Sequence, residues 1–134
     1  MVPIIAGGLA GAGCGSSLSP YVGTWRGART IPNRDQVPEA IRNTLERITV
    51  EVRTDGTFRL EDAGIVSEGD ARPDPQRLLL IVKTRLDMPV ERTGFGKSET
   101  NQPIELRKQP DGSLLFFDPA GFDARPIPLR KIPQ

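Results

Sequence analysis

Ile48-Thr-Val-Glu-Val-Arg-Thr-Asp-Gly-Thr-Phe-Arg-Leu-Glu61 decides the fold. Ile48, Val50 and Val52 alternate with Thr49, Glu51 and Arg53, and beyond Asp55-Gly56 the alternation resumes with Phe58 and Leu60 against Thr57, Arg59 and Glu61. A period of two is that of a half-buried strand, and an Asp-Gly pair between two such runs marks a tight hairpin. The same grammar recurs downstream. Ile104 and Leu106 alternate with Glu105 and Arg107, Pro110-Asp-Gly-Ser113 supplies a turn, and Leu114 to Phe117 returns. Leu78 to Leu86 is a further strand, with Leu80, Val82, Thr84 and Leu86 expected on one face and Lys83 and Arg85 on the other.

Tyr21 to Gly27 reads as the first strand. A short helix over residues 38–47 follows it. Asp35 or Gln36 precedes it, Pro38 fits its first turn, and Ile41 and Leu45 stand i and i+4 on one face. Residues 71–76 and 93–103 read as polar loops. The last run, Arg125 to Ile132, carries prolines at 126 and 128 that cannot donate ladder hydrogen bonds, which suits an edge or closing strand. Seven or eight short strands with one helix after the first predict an all-β chain, rolled into a small antiparallel barrel that removes exposed edges; a two-sheet sandwich is the alternative.

Gly23-Thr24-Trp25 resembles the Gly-x-Trp that opens the first strand of lipocalin-type calycin barrels. The resemblance implies that Trp25 closes one end of the barrel and that a basic residue near the end of the chain, Arg125 or Arg130, packs on its ring. It also implies a binding barrel. Its lining would come from Val50, Val52, Phe58, Leu60, Leu80, Val82, Leu106, Leu114 and Phe116, with Thr84 as the polar member, around a hydrophobic small molecule; the other expected occupant is an envelope protein on the barrel's rim. With only seven aromatic residues and an eight-strand lumen, these side chains equally fit a plain core. The alternative is then a solid-core interaction or protease-inhibitor-like module, whose leading segment Gly15 to Pro20 enters a partner's cleft.

The apolar run Val2 to Gly13 is too short to span the roughly 30 Å of a bilayer's hydrocarbon as a helix. It ends at the only cysteine, Cys14. Leu9-Ala-Gly-Ala-Gly-Cys14-Gly-Ser-Ser17 resembles the lipobox of bacterial lipoproteins, which implies export, lipidation of Cys14 and anchoring by acyl chains in the cell envelope. The expected organisation is a signal peptide at residues 1–13, the lipid-attachment cysteine and a tether at 14–20, and a monomeric lipocalin-like domain at 21–134. One cysteine cannot make an internal disulfide.

Composition narrows the chemistry. Lys and Arg number 18 against 17 Asp and Glu, interleaved throughout, so no net field favours nucleic acid. Histidine is absent, which removes the commonest proton-transfer group and transition-metal ligand. No serine sits in a Gly-x-Ser-x-Gly elbow, and Gly94-Phe-Gly-Lys-Ser98 lacks the first glycine of a phosphate loop. The reading is therefore of a non-enzymatic protein without metal or cofactor. Arg26, Arg29 and Arg34 fall close together and are candidates for holding a phosphate or carboxylate.

Overall fold

A computed structural model describes residues 17–89, 102–119 and 125–133. Strands β1 (Gly23–Ala28), β2 (Arg47–Val52), β3 (Thr57–Asp62), β4 (Ile65–Pro73), β5 (Leu78–Arg85), β7 (Ile104–Lys108), β8 (Leu114–Phe117) and β9 (Ile127–Lys131) form an antiparallel meander. β1 pairs with β9, and β4 with β5, so the eight strands close on themselves into a barrel. A two-residue strand, β6 (Met88–Pro89), folds back on the end of β5. Helix α1 (Glu39–Glu46) lies in the β1–β2 connection, within a residue of where the sequence places it. Pro38 is its N-cap, and Asp35 and Gln36 belong to a preceding 3-10 turn over Arg34–Gln36. Ile41 is exposed, and Glu46 is the helix's buried residue.

Both hairpins expected from the sequence close as three-residue turns. Arg53 N–H donates to the Thr57 carbonyl at 2.9 Å, and Gln109 N–H to the Ser113 carbonyl at 2.9 Å. Tyr21 lies before the first strand, in a 3-10 turn over Ser19–Tyr21. β9 is a closing strand: its proline-containing part, Ile127 to Leu129, pairs with β8, whereas Arg130 and Lys131 pair with β1.

Two expectations are corrected. Residues 71–76 are not simply a loop, because β4 runs to Pro73, and no strand was expected over Ile65 to Asp70. The inward positions of β4 are Ser67, Gly69 and Ala71, facing Leu60, Phe58 and Leu80 of the flanking strands. These residues carry no apolar periodicity. Gly69 is required sterically, since a Cβ there would lie 1.9 Å from the Ile81 carbonyl oxygen. That approach occurs at a bulge where β4 advances from Gly69 to Glu68 while β5 advances from Val82 to Thr84, leaving Lys83 as the extra residue. Beyond it the faces of β5 exchange: Thr84 sits opposite outward Glu68, and Arg85 sits opposite inward Ser67.

Candidate functional site

The barrel has two mouths, and among the described residues its interior is filled by side chains. A lumen with room for even one water molecule would leave reachable surface on the side chains around it. Ile48, Val50, Phe58, Leu78, Leu80, Leu106, Leu114 and Leu129 are 0 % exposed, and Val52 and Phe116 are 1 %. All nine residues expected to line a ligand cavity belong to or pack against this one cluster: Val50, Val52, Phe58, Leu60, Leu80, Leu106, Leu114 and Phe116 are buried members, and Val82 is partly buried against them. Eight strands enclose a volume that side chains of this size fill.

At the mouth where β1 begins, Trp25 and Tyr21 form the plug. The Trp25 indole donates from Nε1 to the Tyr21 carbonyl at 2.8 Å, and both residues are under 5 % exposed. The basic residue over the Trp25 ring is Lys131, with Nζ 5.8 Å from the centroid, rather than Arg125 or Arg130. Arg130 reaches Asp111 instead. Lys108 stands over Tyr21 in the same way. Burial, helped by Asp74, raises the Tyr21 phenol's pKa. The Gly23-Thr24-Trp25 tripeptide is explained locally: a Cβ at Gly23 would lie 2.7 Å from Lys131 Cε, so glycine makes room for the lysine that crosses to the indole. Thr24 accepts from Ile132 N–H through its carbonyl at 2.8 Å.

The rim of this mouth carries two copies of one turn, Asp55-Gly56-Thr57 and Asp111-Gly112-Ser113. In each, one Asp oxygen accepts from the backbone N–H two residues on and from its hydroxyl, at 2.6 Å for both hydroxyls. Those hydrogen bonds hold Asp55 and Asp111 below the usual carboxylate range. The repetition marks the Ser113–Asp111 contact as turn capping rather than an activated nucleophile.

The opposite mouth is polar and meets the C-terminal end of α1. Arg29, immediately after β1, forks onto Asp62 at the end of β3, with Nη1–Oδ1 2.5 Å and Nη2–Oδ2 3.0 Å, both side chains at most 10 % exposed. Arg29 also ties to the helix end, donating from its backbone N–H to the Glu46 carbonyl at 2.9 Å. Glu46 accepts from Arg34 Nε at 2.8 Å and from Ile31 N–H at 3.4 Å. The Arg34 contact, with Ile31 adding, holds the Glu46 carboxyl below the ordinary range, and Glu46 in turn raises Arg34. Across the mouth, Arg85 Nε donates to Ser67 Oγ at 3.1 Å.

The structure therefore does not bring Arg26, Arg29 and Arg34 together as one anion site. Arg29 and Arg34 each hold a carboxylate of the chain, and Arg26 lies on the outer wall against Thr49 Oγ1 at 3.3 Å. Sequence reasoning missed the partners Asp62 and Glu46. A signal for Asp62 was present, because the inward run Phe58, Leu60, Asp62 ends on a carboxylate where an apolar residue is due.

Three large apolar side chains are exposed among the described residues: Ile41 on α1, and Leu86 and Met88 in the β5–β6 hairpin. All three lie toward the polar mouth. Among the described residues no cluster of three or more potential metal ligands occurs, and no helix is long and apolar enough to cross a membrane. Cys14, residues 1–13 and residues 94–98 lie outside the described residues. The fold defines a closed eight-stranded antiparallel barrel with one helix after its first strand. Compared with protein-family models, curated proteins and solved structures, the chain finds no match.

Proposed function

We propose that this chain is an exported, lipid-anchored barrel that works through its surface, as an interaction module for another protein of the cell envelope, and not as a carrier of a small molecule. The observation that carries this reading is the filled interior, in which eight core side chains have no reachable surface. A carrier needs several hundred Å³ of concave, mostly apolar space. The buried Arg29–Asp62 pair supports the same reading, because it closes the mouth opposite Trp25 with charges rather than leaving an apolar passage.

Anchoring rests on the lipobox-like context of Cys14, and a lipocalin-like relationship rests on Gly23-Thr24-Trp25 and on the position of Trp25 at the mouth where β1 starts. The exposed apolar side chains Ile41, Leu86 and Met88 offer contact surface of the kind protein partners cover.

Native mass spectrometry of the gently purified protein, followed by crosslinking in whole cells, tests the reading. The expected result is a mass free of any adduct beyond acyl modification of Cys14, with crosslinks from the polar mouth to one envelope protein. A reproducible adduct of metabolite or lipid mass that leaves on denaturation, and that is not attached at Cys14, would overturn it.

A further inference from the structure

On most of the outer wall, cations stand beside carboxylates. Arg53 reaches Glu51 at 3.1 Å and Glu68 at 3.6 Å, Arg59 reaches Glu61 at 3.7 Å, Lys83 and Arg72 share Asp70, and Arg77 and Arg107 share Glu105. Among the described residues the arrangement is weakest where β9, β1 and β2 meet. On adjacent strands β9 and β1, Arg130 and Arg26 are direct register partners, two like charges opposite one another on the solvent face. Such a pairing is unfavourable unless an anion lies between the two heads.

Arg47 extends the row. On β2 it lies two residues from Thr49, the register partner of Arg26, on the same outward face. Among the described residues neither Arg26 nor Arg47 has a carboxylate within ion-pair distance. The neighbouring candidates are turned elsewhere, Glu51 to Arg53 and Glu61 to Arg59. Arg130 meets Asp111 at 3.4 Å, but both side chains are more than half exposed, and such a contact holds little.

We propose that this stripe, Arg130–Arg26–Arg47, docks the barrel wall onto the phosphate headgroups of an anionic lipid surface. The wall of a barrel is convex and cannot enclose a solute. A flat layer of phosphates can meet all three guanidiniums across the roughly 10 Å that three adjacent strands cover. β1, the central strand of the stripe, is also the strand into which the segment after Cys14 leads, with Arg26 twelve positions from Cys14. The inference rests in this respect on the anchoring reading, since an acyl chain at Cys14 would hold the stripe within reach of headgroups.

The test uses the full chain carrying Cys14→Ser, so that no acyl chain contributes. Co-sedimentation is measured with vesicles of phosphatidylcholine alone and with phosphatidylglycerol mixed in. Binding to the anionic vesicles is expected, falling as salt rises. In the same background Arg26→Gln/Arg47→Gln/Arg130→Gln should reduce partitioning roughly a hundredfold, as expected for three cations at a lipid surface. Arg53→Gln/Arg59→Gln/Arg107→Gln removes equal charge from paired positions and should change it by less than about threefold. Circular dichroism confirms that each variant is folded.

Equal binding to neutral and anionic vesicles would overturn the proposal, as would equal loss in both triple variants. Millimolar inorganic phosphate displacing the protein from vesicles at constant ionic strength would assign the stripe to a soluble anion instead. The intact mass of the native protein, with or without acyl chains on Cys14, decides the anchoring reading separately.

Discussion

Replacing Asp62 by alanine should be among the most damaging single changes in the chain. The carboxylate is met by both terminal nitrogens of Arg29 at 2.5 and 3.0 Å, and the two side chains are only 10 % and 6 % exposed. Removing it takes away the carboxylate that both terminal nitrogens of this buried guanidinium grip, and breaking such a buried pair costs about 3 to 5 kcal/mol. Small domains lose roughly 1.5 kcal/mol of stability per molar urea. The unfolding midpoint should therefore fall by about 2 to 3 M.

Trp25, the only tryptophan and a member of the plug at the far mouth, reports the transition by fluorescence without touching the mutated site. The double variant Arg29→Met/Asp62→Leu replaces both charges by apolar groups and should return to within about 1 kcal/mol of the wild type, because a buried pair roughly balances its own desolvation. A midpoint shift below about 0.5 M for Asp62→Ala, under roughly 1 kcal/mol, would refute the buried-pair argument. A double variant as unstable as the single one would refute it equally.

Gly69→Ala should destabilise by about 3 kcal/mol or more, measured by urea melts or soluble yield, because its Cβ would collide with the Ile81 carbonyl at the seam that closes β4 on β5. Leu86→Asn should stabilise by about 0.5 to 1 kcal/mol in thermal melts, since Leu86 is 57 % exposed and held at a φ of 53°, a left-handed conformation that asparagine tolerates and leucine resists. Acid should destabilise the fold through Glu46. Its carboxyl is held low by Arg34, so the stabilisation is complete above the ordinary glutamate value near pH ~4.3 and is lost as pH falls through the lower folded value. Glu46→Gln should flatten that limb of the stability–pH curve, and an unchanged limb would remove Glu46 as a contributor.

What was legible in the chain was local. Alternation across Ile48–Val52 and Phe58–Leu60, with turn residues between them, gives the register of the β2–β3 hairpin directly, and Pro38 with the i, i+4 pair gives α1 to within a residue. What was hidden depends on tertiary contact. β4 escaped because a strand facing Phe58 in a narrow barrel must present Ser67, Gly69 and Ala71, which erase the apolar period. Thr84 was placed inward because an unbroken alternation was extended through Lys83, where a bulge inserts one residue and exchanges the faces. The three arginines are parted because Arg29 meets its carboxylate 33 residues away and Arg34 meets one 12 residues away, and no spacing rule announces such pairs. The aromatic plug at Trp25 was visible as a tripeptide, whereas its cation, Lys131, comes from the other end of the chain.

An even number of meandering strands returns a chain to the side it left. The described chain reaches β1 from the Trp25 mouth and comes back to it at Ile132, whose N–H binds the Thr24 carbonyl at 2.8 Å. A linker of a few residues between these points would make this barrel a compact insert for grafting into a host's surface loop. It would also allow circular permutation: new ends opened between Ala63 and Gly64 would move the point of attachment to the α1 side while keeping every strand pairing.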